Sequence, residues 1–199
     1  TSGTTGLPKA AVMSHLRWVK AGAVYGRILV GLRPGDVVYC PLPFAHNLAL
    51  TAAWGGVAAT GACLCMARRF SATSFWDEAR AAGATAIPYI GELPRYLLDQ
   101  PPSAADRLHR VRKAFGVGMR PELWRAFGER FGIEAIYETY AASESNTLFL
   151  NLFGLPGSVG FCPSPHAIVR HDPVEGIVRG DDGRPRRVRR GEAGLLLGK

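Results

Sequence analysis

Over most of this chain of 199 residues, apolar positions come in short blocks separated by longer segments of mixed polarity. Val37-Val38-Tyr39-Cys40, Ala62-Cys63-Leu64-Cys65-Met66, Ala84-Thr85-Ala86-Ile87 and Ala114-Phe115-Gly116-Val117 have the length and composition of buried strands. Between them, apolar side chains recur at helical spacing over 15–30, 48–59, 72–82, 91–99 and 121–131. In the last segment Leu123, Trp124, Phe127 and Phe131 share one face behind Pro121, a residue suited to a first helical turn. Ser71 and Ser74 are candidate caps for the helix that carries Phe75 and Trp76. This β-α-β-α order predicts an α/β fold, a parallel sheet with flanking helices. Ligands of such sheets gather at the carboxyl ends of the strands.

After Pro156 the texture changes. Glycines and prolines punctuate short β-like pieces, among them Ala167-Ile168-Val169-Arg170 and Gly176-Ile177-Val178-Arg179, and Asp181-Asp182-Gly183 is a turn signal. The pattern predicts two parts: an α/β core over 1–155 and a small antiparallel β subdomain over 156–199.

Composition narrows the class. With 47% hydrophobic residues the chain can bury a core, and 20% charged residues is ordinary for a soluble globule. No run approaches the ~18 apolar residues of a membrane span. Cys40, Cys63, Cys65 and Cys162 sit in apolar company without metal or redox spacing, so free thiols in a reducing compartment are expected. The net charge of +8 points to an anionic partner. Arg184, Arg186, Arg187, Arg189 and Arg190 form a cluster with no aromatic residue between them. Base stacking needs such aromatics, so the cluster reads as a solvated hairpin and no nucleic acid is expected.

The opening run, Thr1-Ser2-Gly3-Thr4-Thr5-Gly6-Leu7-Pro8-Lys9, carries the strongest chemistry. Glycines let backbone N–H groups approach an anion, four hydroxyls can donate to phosphate oxygens, and a lysine adds a point charge. Its spacing is not G-x-x-x-x-G-K-[ST]. A second polar cluster, Tyr140-Ala141-Ala142-Ser143-Glu144-Ser145-Asn146, follows a strand-like start at Ile136. Taken alone, it is a strand running into a polar turn.

Together the two runs resemble the signatures of the adenylate-forming superfamily: acyl-CoA synthetases, luciferases and peptide-synthetase adenylation domains. The second run is similar to Tyr-Gly-x-Thr-Glu, with Tyr140 and Glu144 matching, Ala141 in place of glycine, and Ser143 keeping the hydroxyl of threonine. The resemblance implies that Thr1, Ser2, Gly3, Thr4, Thr5, Gly6 and Lys9 hold the β and γ phosphates of ATP. It implies that Tyr140 packs on adenine, Ser143 contacts the α-phosphate and Glu144 ligates Mg²⁺, with Lys9 and Glu144 catalytic. Gly116 and Gly118 would line the adenine, and His46 would face the acyl carboxylate.

Tyr89 to Leu98, Gln100-Pro101-Pro102 and His109-Arg110-Val111-Arg112 are similar to the fatty-acid transport protein type of long- and very-long-chain acyl-CoA synthetases. That subgroup implies fatty acid, ATP and CoA as partners and a cytoplasmic place, with membrane association left open and no oligomeric state set. Acyl transfer to a carrier protein and a catalytically dead binding remnant stand as alternatives. With its signature at residue 1, the chain reads as the central segment of a larger enzyme, inactive alone. The ribose-binding aspartate and the C-terminal domain with its catalytic lysine are expected beyond residue 199.

Overall fold

In the computed structural model, which describes Leu7 and residues 10–198, apolar blocks become a six-stranded sheet. Val37–Cys40 (β1), Cys63–Met66 (β2), Ala86–Ile90 (β3), Lys113–Val117 (β4) and Ala135–Ala141 (β5) are mutually parallel. Leu148–Leu150 (β6) returns antiparallel to β5, giving the order β2-β1-β3-β4-β5-β6. Ala86, Ile87, Pro88 and Tyr89 are buried in succession. Successive strand residues point to opposite faces, so both faces of the sheet are covered at β3.

The predicted strand at 84–87 begins and ends later than expected. Ala84 and Thr85 precede β3, and the Thr85 hydroxyl donates to Asp36 Oδ1 at 2.7 Å. At the other end the strand runs through Pro88, which lacks a ladder N–H. Pro88 is in register with Phe115 of β4, whereas β1 pairs with β3 only at Ala86, so the missing donor faces no partner strand. The antiparallel strand β6 also departs from an all-parallel sheet. Three residues beyond a polar turn are too few for a periodicity to register.

Helices fill the connections. His15–Ala23 (α1) passes into a π-helical turn, Val24–Leu29, and a second π-helical stretch, Leu48–Trp54, passes into Gly55–Thr60 (α2). Phe75–Ala81 (α3), Glu92–Leu98 (α4) and Pro121–Phe131 (α5) follow. Helix α5 starts at Pro121 and ends at Gly132, a left-handed cap with φ 66°. Trp124, Phe127 and Phe131 are buried, and the rings of Phe127 and Phe131 pack on Trp76. At α3, Ser74 occupies the cap position, but its hydroxyl donates to Glu78 at 2.5 Å instead of receiving a backbone N–H. Ser71 Oγ accepts the Ser74 N–H at 3.4 Å, ahead of the helix, so neither serine caps it in the expected way.

The later part holds two small antiparallel sheets. His166–Val169 (β7) pairs with Leu195–Gly198 (β10), and His171–Asp172 (β8) pairs with Gly176–Ile177 (β9). The predicted turn at Asp181 to Gly183 is present: Gly183 has φ 73° and its N–H donates to Gly180 O at 2.9 Å. All four cysteines are free thiols. Among the described residues, no helix is long and apolar enough to cross a membrane.

Candidate functional site

Strands β4 and β5 run in register up to the pair Gly116 and Glu138, and then diverge. Beyond that pair β4 turns at Gly118, whose φ of 81° lies in the left-handed region open to glycine. Strand β5 continues to Ala141, held by its pairing with β6. The gap left between them opens a cleft of about 490 Å³ at the carboxyl end of the sheet. One wall is Val117 to Pro121 with Trp124, a second is Glu138 to Ala141, and Gly157, Ser158 and Val159 form a third.

Two adjacent residues of β5 tie it to the end of β4. Glu138 is 4% exposed, and its carboxylate accepts the N–H of Gly118, the N–H of Met119 at 3.0 Å and the hydroxyl of Tyr89 at 2.7 Å. Burial pushes the Glu138 carboxyl up, and the three donors offset that only in part. The Tyr89 phenol is pushed well up, by burial first and by the neighbouring Glu138 charge second. Thr139 Oγ1 donates to Gly116 O at 2.9 Å and lies 3.0 Å from the Tyr25 hydroxyl. The network therefore spans α1's π-helical extension, β3, β4 and β5.

Of the predicted residues, Gly118 and Tyr140 meet in this cleft. The Tyr140 ring is half exposed and packs edge-on against Phe149, with centroids 6.0 Å apart. Gly116 lies one step down β4, where a Cβ would meet Tyr89 O at 2.0 Å. Ser143 and Glu144 sit in the turn between β5 and β6, Ser143 partly buried and Glu144 exposed. His46 follows β1, ahead of the π-helical stretch, and does not line the cleft. Its Nδ1 accepts the Leu48 N–H at 3.2 Å, and burial lowers its pKa. Thr1, Ser2, Gly3, Thr4, Thr5, Gly6 and Lys9 lie outside the described residues.

Sequence reasoning passed over three residues. Glu138 and Thr139 left a signal: a carboxylate in the run Ile136-Tyr137-Glu138-Thr139-Tyr140 is buried only where donors meet it. Arg17 left none. Its guanidinium donates to Ser145 O at 2.6 Å and to Val12 O at 3.3 Å, joining the chain just after the opening run to the turn of Ser143 and Glu144.

Residues 1–196 match the family described as AMP-binding enzyme. The medium/long-chain-fatty-acid–CoA ligase FadD6 of Mycobacterium tuberculosis is 50% identical over 200 residues, which is 100% of this chain and 34% of that protein. Human long-chain fatty acid transport protein 1 is 40% identical over 207 residues, 100% of this chain and 32% of the relative. The chain thus spans about a third of the length of these curated relatives. Among solved structures, the anthranilate CoA ligase AuaEII in complex with anthranoyl-AMP has a TM-score of 0.78 at 20% identity, over 100% of this chain and 38% of its own. The inhibitor-bound N-terminal domain of FACL13 from Mycobacterium tuberculosis has a TM-score of 0.69 at 26% identity, over 94% and 46%. These neighbours share the mixed α/β fold.

Proposed function

The chain belongs to the AMP-binding enzyme family, and on that premise we propose that it carries the ATP- and acyl-binding part of a fatty acid–CoA ligase. The observation that carries the reading is the cleft at the carboxyl ends of β4 and β5, whose lining includes both Gly118 and Tyr140. A flat heterocycle fits between a bare glycine turn and an exposed tyrosine ring. The similarity to the ligase FadD6 supports a medium- or long-chain fatty acid as substrate and CoA as acceptor.

The first half-reaction joins a carboxylate oxygen to the α-phosphorus of ATP, while the bond between the α-phosphorus and the bridging oxygen breaks and pyrophosphate leaves. In the second, the CoA thiolate bonds to the acyl carbon and AMP leaves with the carbon–oxygen electron pair. Positioning and charge neutralisation dominate chemistry of this kind. Tyr140 packs on adenine, the Gly116 to Gly118 backbone borders it, and Ser143 donates to the α-phosphate. Thr1 to Gly6 and Lys9 cradle the outer phosphates, and His46 faces the carboxylate. Glu144 lies in an exposed turn, which suits a Mg²⁺ held by one carboxylate together with substrate phosphates and water. When bound, such an ion would offset negative charge on the phosphate oxygens. Residues 1–155 supply the nucleotide and acyl site in this reading, and 156–199 add a wall through Gly157, Ser158 and Val159.

The test is hydroxamate trapping of acyl-AMP by the full-length protein that carries this chain, with ATP, Mg²⁺ and fatty acids from medium to very long chain. Lys9→Ala and Glu144→Ala are each expected to lower adenylate formation by about a hundredfold or more, the usual scale for a lost transition-state charge contact. Unchanged rates in both variants, or no adenylate with any acid, reject the reading.

A further inference from the structure

We propose that Glu138 is a positioning residue for the nucleotide: its carboxylate fixes the Gly118–Met119 turn against β5, and so sets the cleft between Gly118 and Tyr140. The inference rests on the proposed adenylating function and deepens it.

A buried carboxylate is costly, and apolar residues of like size often replace buried charges without loss of stability. Fold stability alone therefore gives little reason for a glutamate at this place in a strand. Its geometry supplies another. Two of the three donors are consecutive backbone N–H groups, from Gly118 and Met119, at the point where β4 leaves the sheet. The third is the hydroxyl of Tyr89 on β3. Glu138 immediately precedes Thr139 and Tyr140 on β5, and Thr139 binds Gly116 O, so side chains from adjacent positions hold both ends of the turn. The left-handed Gly118 has no hydrogen-bonded strand neighbour beyond Gly116 on the β5 side, and Glu138 replaces that missing ladder.

The arrangement also sorts the two ends of a nucleotide. Adjacent backbone N–H groups pointing one way make a site for an anion. Here the protein's own carboxylate fills it. A phosphate is thus excluded from the Gly118–Met119 turn, which is left to the uncharged base, and the phosphates are sent toward the Ser143–Glu144 turn. Glu138 acts on ligand only through the backbone it holds.

The experiment measures KM for ATP, KM for the fatty acid, kcat for adenylate formation and the melting temperature. The proteins are the full-length wild type, Glu138→Gln and Tyr89→Phe. Glu138→Gln keeps the shape but turns an amide N–H₂ toward one of the two backbone donors. KM for ATP is expected to rise about tenfold, the size of a lost charge-assisted hydrogen bond, with KM for the fatty acid within about twofold of wild type. Tyr89→Phe removes one neutral donor and is expected to raise KM for ATP about threefold. A merely structural Glu138 would instead lower the melting temperature and shift both KM values together, and that result overturns the inference. So does an unchanged KM for ATP in a folded Glu138→Gln. Should Glu138→Gln not fold, Tyr89→Phe decides by the same criterion. A wild type that forms adenylate beside variants with unaltered KM for ATP sinks this inference alone. A wild type that neither binds ATP nor forms adenylate sinks the proposed function and takes the inference with it.

Discussion

At Gly116 a single methyl group decides whether two strands stay paired. An added Cβ there would lie 2.0 Å from Tyr89 O and 2.8 Å from Tyr89 C, both backbone atoms that cannot swing aside. Gly116→Ala must therefore part β3 from β4, at an expected cost of about 1–3 kcal/mol, read as a lower denaturant midpoint at unchanged slope. The resemblance gave both glycines one role, lining the adenine, and nothing in sequence distinguishes Gly116, which needs space, from Gly118, which needs a positive φ. His109 gives a second prediction at this scale. It is buried, stacks on Trp76 with centroids 4.1 Å apart, and has its pKa lowered to about 4, by burial first and by Arg112 next. The folded protein thus holds a neutral imidazole while the unfolded chain takes up a proton near pH 6.5. The stability this contributes is complete above pH 6.5 and is lost as pH falls from there to about 4. Melting temperature should decline across that window in wild type, and His109→Phe should flatten the decline. An equal slope in both proteins would reject the assignment.

Among the elements, the crossing of α1 and α2 rests on bare backbone. A Cβ at Gly22 would meet Gly55 O at 2.6 Å, and one at Gly26 would meet Gly56 O at 2.5 Å. The two helices can approach this closely only because four glycines face one another. Gly26→Ala should push them apart and cost about 1–3 kcal/mol, while Gly35→Ala, in open space at φ 96°, carries only the backbone penalty of about 1–2 kcal/mol. Gly26→Ala should also loosen the Tyr25 contact to Thr139, so adenylate formation should fall with stability in Gly26→Ala but not in Gly35→Ala. Sequence periodicity located these helices and missed their π-helical turns, because an extra residue per turn shifts the apolar face without erasing it. Strand β3 was misplaced for a different reason: the apolar block Ala84 to Ile87 stops short of Pro88, and the strand runs on through that proline because β1 leaves Pro88 without a partner that would want its N–H.

For the molecule as a whole, the order of blocks along the chain was enough to give a parallel sheet with flanking helices, since consecutive apolar runs joined by helical segments admit few other arrangements. The candidate site was legible only in part: Gly118 and Tyr140 line one cleft, but the carboxylate that holds the Gly118 turn does not belong to either motif. A polar residue in a strand is ordinarily read as facing water, and only the three donors around Glu138 reveal otherwise. Charge is the property that composition reported most directly, and here it needs dividing. Arg184, Arg186, Arg187, Arg189 and Arg190 are all exposed, and the ion pair of Arg184 with Asp182 spans 3.9 Å between two exposed groups. Exposed pairs of that kind contribute little. Replacing these five arginines by glutamine removes five positive charges and takes the net charge from +8 to +3. If the cluster is a solvated hairpin, each change should move stability by less than about 0.5 kcal/mol, and KM for ATP and its dependence on salt should match wild type. If it reaches the phosphates of ATP or CoA, the KM of that substrate should rise at low ionic strength and the difference from wild type should vanish above the concentration that screens charges about 10 Å apart. Steady-state KM for both substrates across a salt series separates the two, and the exposed, aromatic-free setting of the arginines favours the first.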